Sequence, residues 1–489
     1  MDINPKGLSL TGRLKFLLKD SVVYGGASAI RTLFALFTFP ILTRYFSIED
    51  YGVIDAFNVL ATLLTVTVIF GQDSAVARFF YEYDDRKKKQ NVVSQSLLMQ
   101  FVLLLISLPI LLFFADDIAS FYVKRDDLKE LAVLVIWQVP FALAMNFSAN
   151  LLKWTFKKWQ FLIIQLGSSF SQVLIIVISI YYFKIGISHV FIIALAVRAF
   201  FSLLGIFFIR EWLIIKLDGK HFKELLHYGI PLGLLVLIFS FVPVSDRYFI
   251  NSFLTPADLG LYAVGLKIAM LVKLPISAFQ TAWGPFYLSL FKEDNAEKTY
   301  NTVLLLFTIF VSIIGLGLGL FAKELILILA GKNYINASNL VLPLVFGTII
   351  MSFGWILSIG IDLSKKSYQK FISAIIRLTV SIGVILILID YIGLMAIGVG
   401  FIVSYIVLVI YETIIAYKLY PLRFDLYYPI SIIGGSFLLV LLSFLIDTNN
   451  ILVDIAIKIG IISGFIFVVW LVPLKRKNLL LLIRKKNID

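Results

Sequence analysis

Fourteen times along this chain a stretch of about twenty residues passes with almost no charge. Few other features constrain a fold as tightly. A run that long spans the roughly 30 Å hydrocarbon core of a bilayer as an α-helix. In hydrocarbon every backbone N–H and C=O needs a partner within its own segment, and a helix supplies one. The stretches fall near residues 18–44, 51–77, 91–115, 128–152, 160–183, 187–209, 224–250, 257–286, 298–322, 337–361, 367–389, 391–416, 425–446 and 451–473. The sequence therefore predicts an all-α integral membrane protein of about 14 transmembrane helices. Composition agrees: 60% of the 489 residues are hydrophobic and 15% charged, against about 45–50% and 25% in soluble domains. The first apolar segment runs well past the length of a signal-peptide core and lacks a small-residue cleavage site, so it reads as a retained helix.

Orientation follows from the basic residues, which concentrate on the cytoplasmic side of membrane proteins. With the N-terminus inside, 28 Lys and Arg fall in inside segments. They include Lys6, Arg13, Arg86 to Lys89, Lys153, Lys157, Lys158, Arg210, Lys365, Lys366, Lys418, Arg423 and a tail cluster from Lys475 to Lys486. Eight fall outside: Arg44, Lys124, Arg125, Lys129, Lys184, Arg247, Lys323 and Lys332. A missed helix would invert the pattern downstream of it. The net charge of +13 thus reads as topology and contact with anionic lipid headgroups, not as a nucleic-acid surface. Both termini are expected in the cytoplasm.

An internal repeat divides the chain. Pro-x-x-x-Arg-Tyr-Phe occurs at 40–46 and again at 243–249. A Ser/Thr-x-x-Asp-x-Gly follows each copy, at Ser47–Gly52 and Thr255–Gly260. Ser47 and Thr255 are expected to cap the next helix, with Asp50 and Asp258 completing a capping box. Six helices separate the copies, so both halves cross in the same direction, as in parallel-repeat transporters. The expected organisation is a six-helix half at 1–222, a second at 223–423, and an appended helix pair with a basic tail at 424–489.

Ionisable side chains are costly inside a bilayer and mark a bundle interior or a wet cavity. Seven bases fall within the spans: Arg31, Arg78, Arg198, Lys267, Lys273, Arg377 and Lys458. The acids there are fewer, namely Asp55, Asp73 and Glu412, with Asp362 at a span end. Polar side chains recur at helical spacing: Tyr24, Ser28 and Arg31; Asp55, Asn58, Thr62, Thr65 and Gln72; Gln165, Ser168 and Gln172; Lys273, Ser277 and Gln280; Lys370, Ser373, Arg377 and Ser381. One polar face on an apolar helix suggests an aqueous lumen. The bland alternatives are snorkelling for Arg78 and Lys458, acidic partners such as Asp55 or Asp73 for Arg31 and Arg198, and helix packing for the hydroxyl stripes.

Catalytic signatures are missing. The chain has no cysteine and no G-x-x-x-x-G-K-[ST] loop, and its three histidines, His189, His221 and His227, form no ligand cluster. No metal, cofactor or enzymatic chemistry is expected. Transport remains.

LTRYFSIEDYG (42–52), followed by Gly71, Ala75 and Arg78 in G-x-x-x-A-x-x-R, resembles the opening of polysaccharide-repeat flippases of the O-antigen and capsule type. These belong to the multidrug/oligosaccharidyl-lipid/polysaccharide exporter superfamily. YGIPLG (228–233), SDRYFI (245–250), LGLYAVG (259–265), AFQTAWGPFY (278–287) and ELILILAGKNYINAS (324–338) extend the resemblance over essentially the whole chain. It implies two six-helix halves plus a final pair. It also implies flipping of undecaprenyl-pyrophosphate-linked oligosaccharide to the outer leaflet of the cytoplasmic membrane, by alternating access around a cationic cavity. Membrane lipids, a polysaccharide polymerase and chain-length machinery would be the partners. On that reading Arg31, Arg78, Lys267 and Lys273 take the pyrophosphate, Tyr24, Asn58, Gln72 and Gln280 contact sugars, and Asp55 or Asp73 couples a cation. A drug/cation antiporter of the same superfamily would favour acidic lumen residues and usually twelve helices. A membrane glycan polymerase would carry a large outer loop, and the longest candidate here, 116–130, is short.

The lack of native cysteine makes orientation directly testable. Lys88→Cys is expected to react with an impermeant maleimide only after the cytoplasmic face is opened, and Lys332→Cys in intact cells. The reverse pattern would invert the topology.

Overall fold

A computed structural model describes residues 10–83, 85–123, 128–214, 219–291, 293–366, 368–445 and 450–471. Each predicted stretch is helical, and no strand occurs among the described residues. Among the described residues, twelve helices are long and apolar enough to cross a membrane, and Tyr427–Ser443 is a shorter apolar one. The 36-residue Leu10–Tyr45 covers the remaining stretch.

The chain forms two compact units, Met1–Gly260 and Leu261–Asp489. The first holds α1 (Leu10–Tyr45), α2 (Ile48–Ile69), α3 (Gln72–Glu82), α4 (Arg86–Phe113), α5 (Ala115–Val123) and α6 (Lys129–Trp154). After them come α7 (Lys158–Leu162), α8 (Ser168–Phe183), α9 (Ile187–Ile209) and α10 (Gly219–Phe253). The next helix, α11 (Pro256–Ala269), begins at the end of this unit. The second unit continues with α12 (Lys273–Leu290), α13 (Ala296–Leu320), α14 (Ala322–Leu329), α15 (Ser338–Leu357) and α16 (Ile359–Leu363). It ends with α17 (Tyr368–Ile392), α18 (Met395–Leu419), α19 (Tyr427–Ser443) and α20 (Ile451–Val469). In that unit α15 is the central helix, with α13, α18 and α19 packed around it.

The division at Gly260 leaves α10 with the first unit, whereas the repeat places it with the second half. The physical reason is a seam along which α10 packs antiparallel to α2 and α3. At one end the glycines of the two repeat motifs meet. A Cβ on Gly52 would lie 2.5 Å from the Gly260 nitrogen, and one on Gly260 would strike the Ile48 carbonyl. Both motifs cap the helix that follows, and the reciprocal box closes at Thr255–Asp258. Ser47 Oγ accepts from the Asp50 N–H at 3.0 Å. Asp258 Oδ2 accepts from the Thr255 N–H at 3.0 Å and from its hydroxyl at 2.6 Å.

About two helical turns into α2, Asp55 Oδ2 accepts from Arg247 Nε at 2.9 Å and Nη2 at 2.6 Å. This overturns the placement of Arg247 in an outer loop: it lies inside α10, 2% exposed. Arg247 Nη1 also donates to the Pro243 carbonyl at 2.8 Å. Tyr122 on α5 donates to the Ala56 carbonyl at 3.3 Å, and its own carbonyl accepts from Asn251 at 3.3 Å.

At the other end, α2 and α3 form one predicted span broken in two. Phe70 (φ 44°) and Gly71 (φ 73°) are both left-handed, a conformation that costs a non-glycine residue about 1–2 kcal/mol. Neighbouring backbone explains the break. A Cβ on Gly71 would strike the Gly229 carbonyl, and one on Gly233 would lie 2.8 Å from the Phe70 carbonyl. Gln72 begins α3 fully buried, its amide against Gly229 and without a hydrogen-bond partner among the described residues.

Two expectations follow. Asp55→Ala strands a buried guanidinium and is expected to cost about 3–5 kcal/mol. The double change Asp55→Leu with Arg247→Met is expected to restore most of that loss in denaturant unfolding. Gln72→Met removes two buried polar atoms and is expected to preserve or raise stability by about 1–3 kcal/mol. A clear loss would mean that the amide is satisfied.

Candidate functional site

Each unit carries its own pair of cations with no carboxylate in ion-pair range among the described residues. In the first, Arg31 on α1 donates from Nη1 to Gln165 Oε1 at 2.6 Å. Arg198 on α9 donates from Nη1 to Gln138 Oε1 on α6 at 2.8 Å. The two guanidiniums lie close enough to repel one another. Neutral amides, not carboxylates, hold them. The expected acidic partners are engaged elsewhere: Asp55 with Arg247, and Asp73 Oδ2 with Asn146 Nδ2 at 3.0 Å.

A local irregularity places Gln165. Residues Ile163–Gly167 form a π-helical turn between α7 and α8, a feature common at functional sites. The Gln165 carbonyl accepts from the hydroxyls of Ser168 (3.2 Å) and Ser169 (2.9 Å). Gly167 is required beside it, because a Cβ there would lie 2.8 Å from the Phe201 ring.

The second unit repeats the electrostatics with different residues. Lys273 opens α12 after a 3-10 turn at Met270–Val272. Pro275 lies in the first turn of α12, where a missing N–H costs nothing. Arg377 on α17 lies within Coulombic reach of Lys273. Arg377 is buried, its guanidinium 4.1 Å from the centre of the Tyr405 ring, and its Nε finds no acceptor among the described residues. Glu412, on α18, accepts from the Ser373 hydroxyl at 2.7 Å, and Lys370 pairs with Asp362 at 2.6 Å.

The other predicted site residues spread out. Arg78 is exposed, 4.6 Å above the Tyr228 ring. Lys267 and Gln280 are exposed. Asn58 is exposed but donates to its own helix at the Ile54 carbonyl, 2.8 Å away. Gln72 sits in the α3–α10 seam. Tyr24 lies on α1, and its side chain is outside the described residues. Asp55 is committed to Arg247. Lys458 pairs with Glu324 instead of snorkelling. The residues that hold the cations, Gln138 and Gln165, and the cations Arg198 and Arg377 had no assigned role from sequence. Arg377 had a signal, its place on the Ser373–Ser381 stripe; Gln138 had none.

The family described as "Polysaccharide biosynthesis protein" matches residues 41–339. Two proteins of Haemophilus influenzae (strain ATCC 51907 / DSM 11121 / KW20 / Rd) are similar in sequence. "Lsg locus putative protein 1" is 24% identical over 57% of this chain and 67% of its own length. An "Uncharacterized membrane protein" is 24% identical over 68% of this chain and 80% of its own. Among solved structures, the inward closed conformation of the lipid II flippase MurJ superposes with a TM-score of 0.72 at 18% identity, covering 92% of this chain and 99% of that one. An inward-facing MATE transporter of the MOP superfamily gives 0.59 at 18% identity, covering 79% and 94%. At such identity these structures establish the fold, a multi-pass membrane arrangement shared with MurJ and the MATE transporters. The match over more than half its length shows that this chain belongs to the polysaccharide biosynthesis protein family.

Proposed function

We propose that this protein is a flippase that carries undecaprenyl-pyrophosphate-linked oligosaccharide repeat units from the cytoplasmic to the outer leaflet of the cytoplasmic membrane. The observation that supports this most is the cation pair in each unit, Arg31 with Arg198 and Lys273 with Arg377. Like charges held near one another repel, and an anion that joins them relieves that repulsion. A diphosphate loses water on entering the membrane, and guanidinium groups replace those hydrogen bonds in bidentate fashion. Arg78 and Lys267, both exposed, extend the cationic surface, and Asn58, Gln280 and Tyr24 supply sugar contacts. Asp73, held by Asn146 and not by a base, is the better candidate for a coupling cation, since Asp55 is neutralised by Arg247.

Transport exposes these residues to one side and then to the other, with the repeat halves 1–222 and 223–423 as the moving elements and 424–489 as an appended pair. An inside-negative potential assists outward movement of an anion by about 2.3 kcal/mol per charge per 100 mV. A polymerase and chain-length machinery on the outer face would consume the flipped unit. Membership of a polysaccharide biosynthesis family favours this cargo over a drug, and a fold shared with MurJ and the MATE transporters supports transport over glycan joining.

The test is a depletion strain in which lipid-linked oligosaccharide is quantified and its sidedness read with an impermeant glycan label. Depletion is expected to build up intermediates on the inner leaflet, relieved by the wild-type gene. Arg31→Gln and Arg377→Gln are each expected to slow flipping about tenfold or more, each forfeiting a charge-assisted hydrogen bond of roughly 1.5–3 kcal/mol. Single repeat units already on the outer face would favour a polymerase. Unchanged lipid intermediates with altered drug susceptibility would favour an antiporter.

A further inference from the structure

The second unit contains a cleft that the transport reading does not use. It runs between α15, α18 and α19, with a volume of about 720 Å³. From α18 come Ile402, Ile406, Ile410 and Ile414, one ridge at four-residue spacing. From α15 come Phe346 and Phe353; α19 contributes Pro429 and Gly434. The only hydroxyl lining it, Thr413, donates to its own helix at the Val409 carbonyl, 2.7 Å away. Ile406, Ile410, Ile414 and Ile430 are exposed, so the cleft opens towards the surroundings.

The ridge does not stop in hydrocarbon. Lys418 occupies the next four-residue step after Ile414 and lines a second cavity of about 380 Å³, together with Tyr417, Tyr420 and Arg423. The two cavities share Leu357, Thr413, Ile414 and Leu426, and therefore adjoin. Neither Lys418 nor Arg423 has an ion pair among the described residues. The nearby carboxylates are already engaged: Glu297 accepts from the Arg423 backbone N–H at 3.1 Å, and Asp425 from that of Tyr427 at 3.3 Å. The segment that carries Arg423 is fixed. Asn301 donates to the Arg423 carbonyl at 2.8 Å and accepts from the Asp425 N–H at 2.6 Å.

Dimensions and charge select the occupant. From Ile402 to Ile414 the ridge is about 18 Å long at 1.5 Å per residue, slightly more than one leaflet of a hydrocarbon core roughly 30 Å thick. Two cations with no ion pair among the described residues, and two tyrosines, stand where the apolar wall ends, the residue types that membrane proteins place at headgroup level. We infer that the α15–α18–α19 cleft and the Lys418–Arg423 pocket form one binding site for an anionic phospholipid of the surrounding membrane. Its acyl chain lies along α18 and its phosphate meets both cations. This goes beyond the flippase reading and does not depend on it.

Native mass spectrometry of the full chain tests the site, with phosphatidylglycerol and phosphatidylethanolamine of identical acyl chains added at equal concentration. Wild-type protein is expected to retain phosphatidylglycerol with about a fivefold preference or more, since each basic side chain at a membrane surface adds about fivefold to anion affinity. Lys418→Gln with Arg423→Gln, both at exposed positions, is expected to abolish the preference. Gly434→Leu, which adds a side chain into open space, is expected to reduce retention of both lipids. Equal retention of the two by the wild type, or a preference that survives the double change, overturns the site. Displacement of phosphatidylglycerol by equimolar polyprenyl phosphate also overturns it, because the cleft would then belong to the cargo.

Discussion

Hydrocarbon offers no hydrogen bonds, and that single deficit organises this molecule. It forces the backbone into helices and then acts on the side chains. Thr62, Thr65, Thr67, Thr308 and Thr348 all turn their hydroxyls back to carbonyls four residues earlier in their own helices. A polar stripe built this way needs no water, which is why hydroxyl periodicity alone says little about a lumen. Amides and charges cannot be hidden so cheaply. They collect at a few places where two helices meet: Gln138 with Arg198, Gln165 with Arg31, Asp55 with Arg247.

The same deficit separates the two kinds of cation in the protein. Arg247 has its carboxylate and a carbonyl besides, and is closed to any ligand. Arg31, Arg198 and Arg377 are held by amides or an aromatic face, which orient a guanidinium without cancelling its charge. Orientation by neutral partners is what an anion site requires, since a carboxylate would compete with the ligand.

How much of this was legible beforehand depends on the length scale of the signal. The fourteen spans were readable because apolar length is a sum over twenty residues, insensitive to any one of them. The caps at Ser47 and Thr255 were readable because capping is local, within three residues. Arg247 was misread for the opposite reason. It stands near a span end, where loop and helix look alike, and its partner Asp55 is 192 positions away. The break at Phe70–Gly71 and the burial of Gln72 also depend on distant glycines, at 229 and 233. Of the proposed site residues, Arg31 and Lys273 fell in the cation pairs. Their companions Arg198 and Arg377 were visible as bases inside spans, but pairing bases across helices needs the fold.

The π-helical turn at Ile163–Gly167 has a consequence for how this helix can change. A π turn holds one residue more than an α turn needs, so it is equivalent to a one-residue insertion. Each residue rotates an α-helix by about 100°. Deleting one residue within 163–167 would let the segment relax into a continuous α-helix. Everything from Ser168 to Phe183 would then keep its present face, because the turn already absorbs the extra residue; converting the turn to α-helix at unchanged length would instead rotate that segment by about 100°. The face of α8 beyond Gln165 is thus phased by the π turn itself, and a substitution that abolished the turn without changing the length would swing that face away from the amide that holds Arg31.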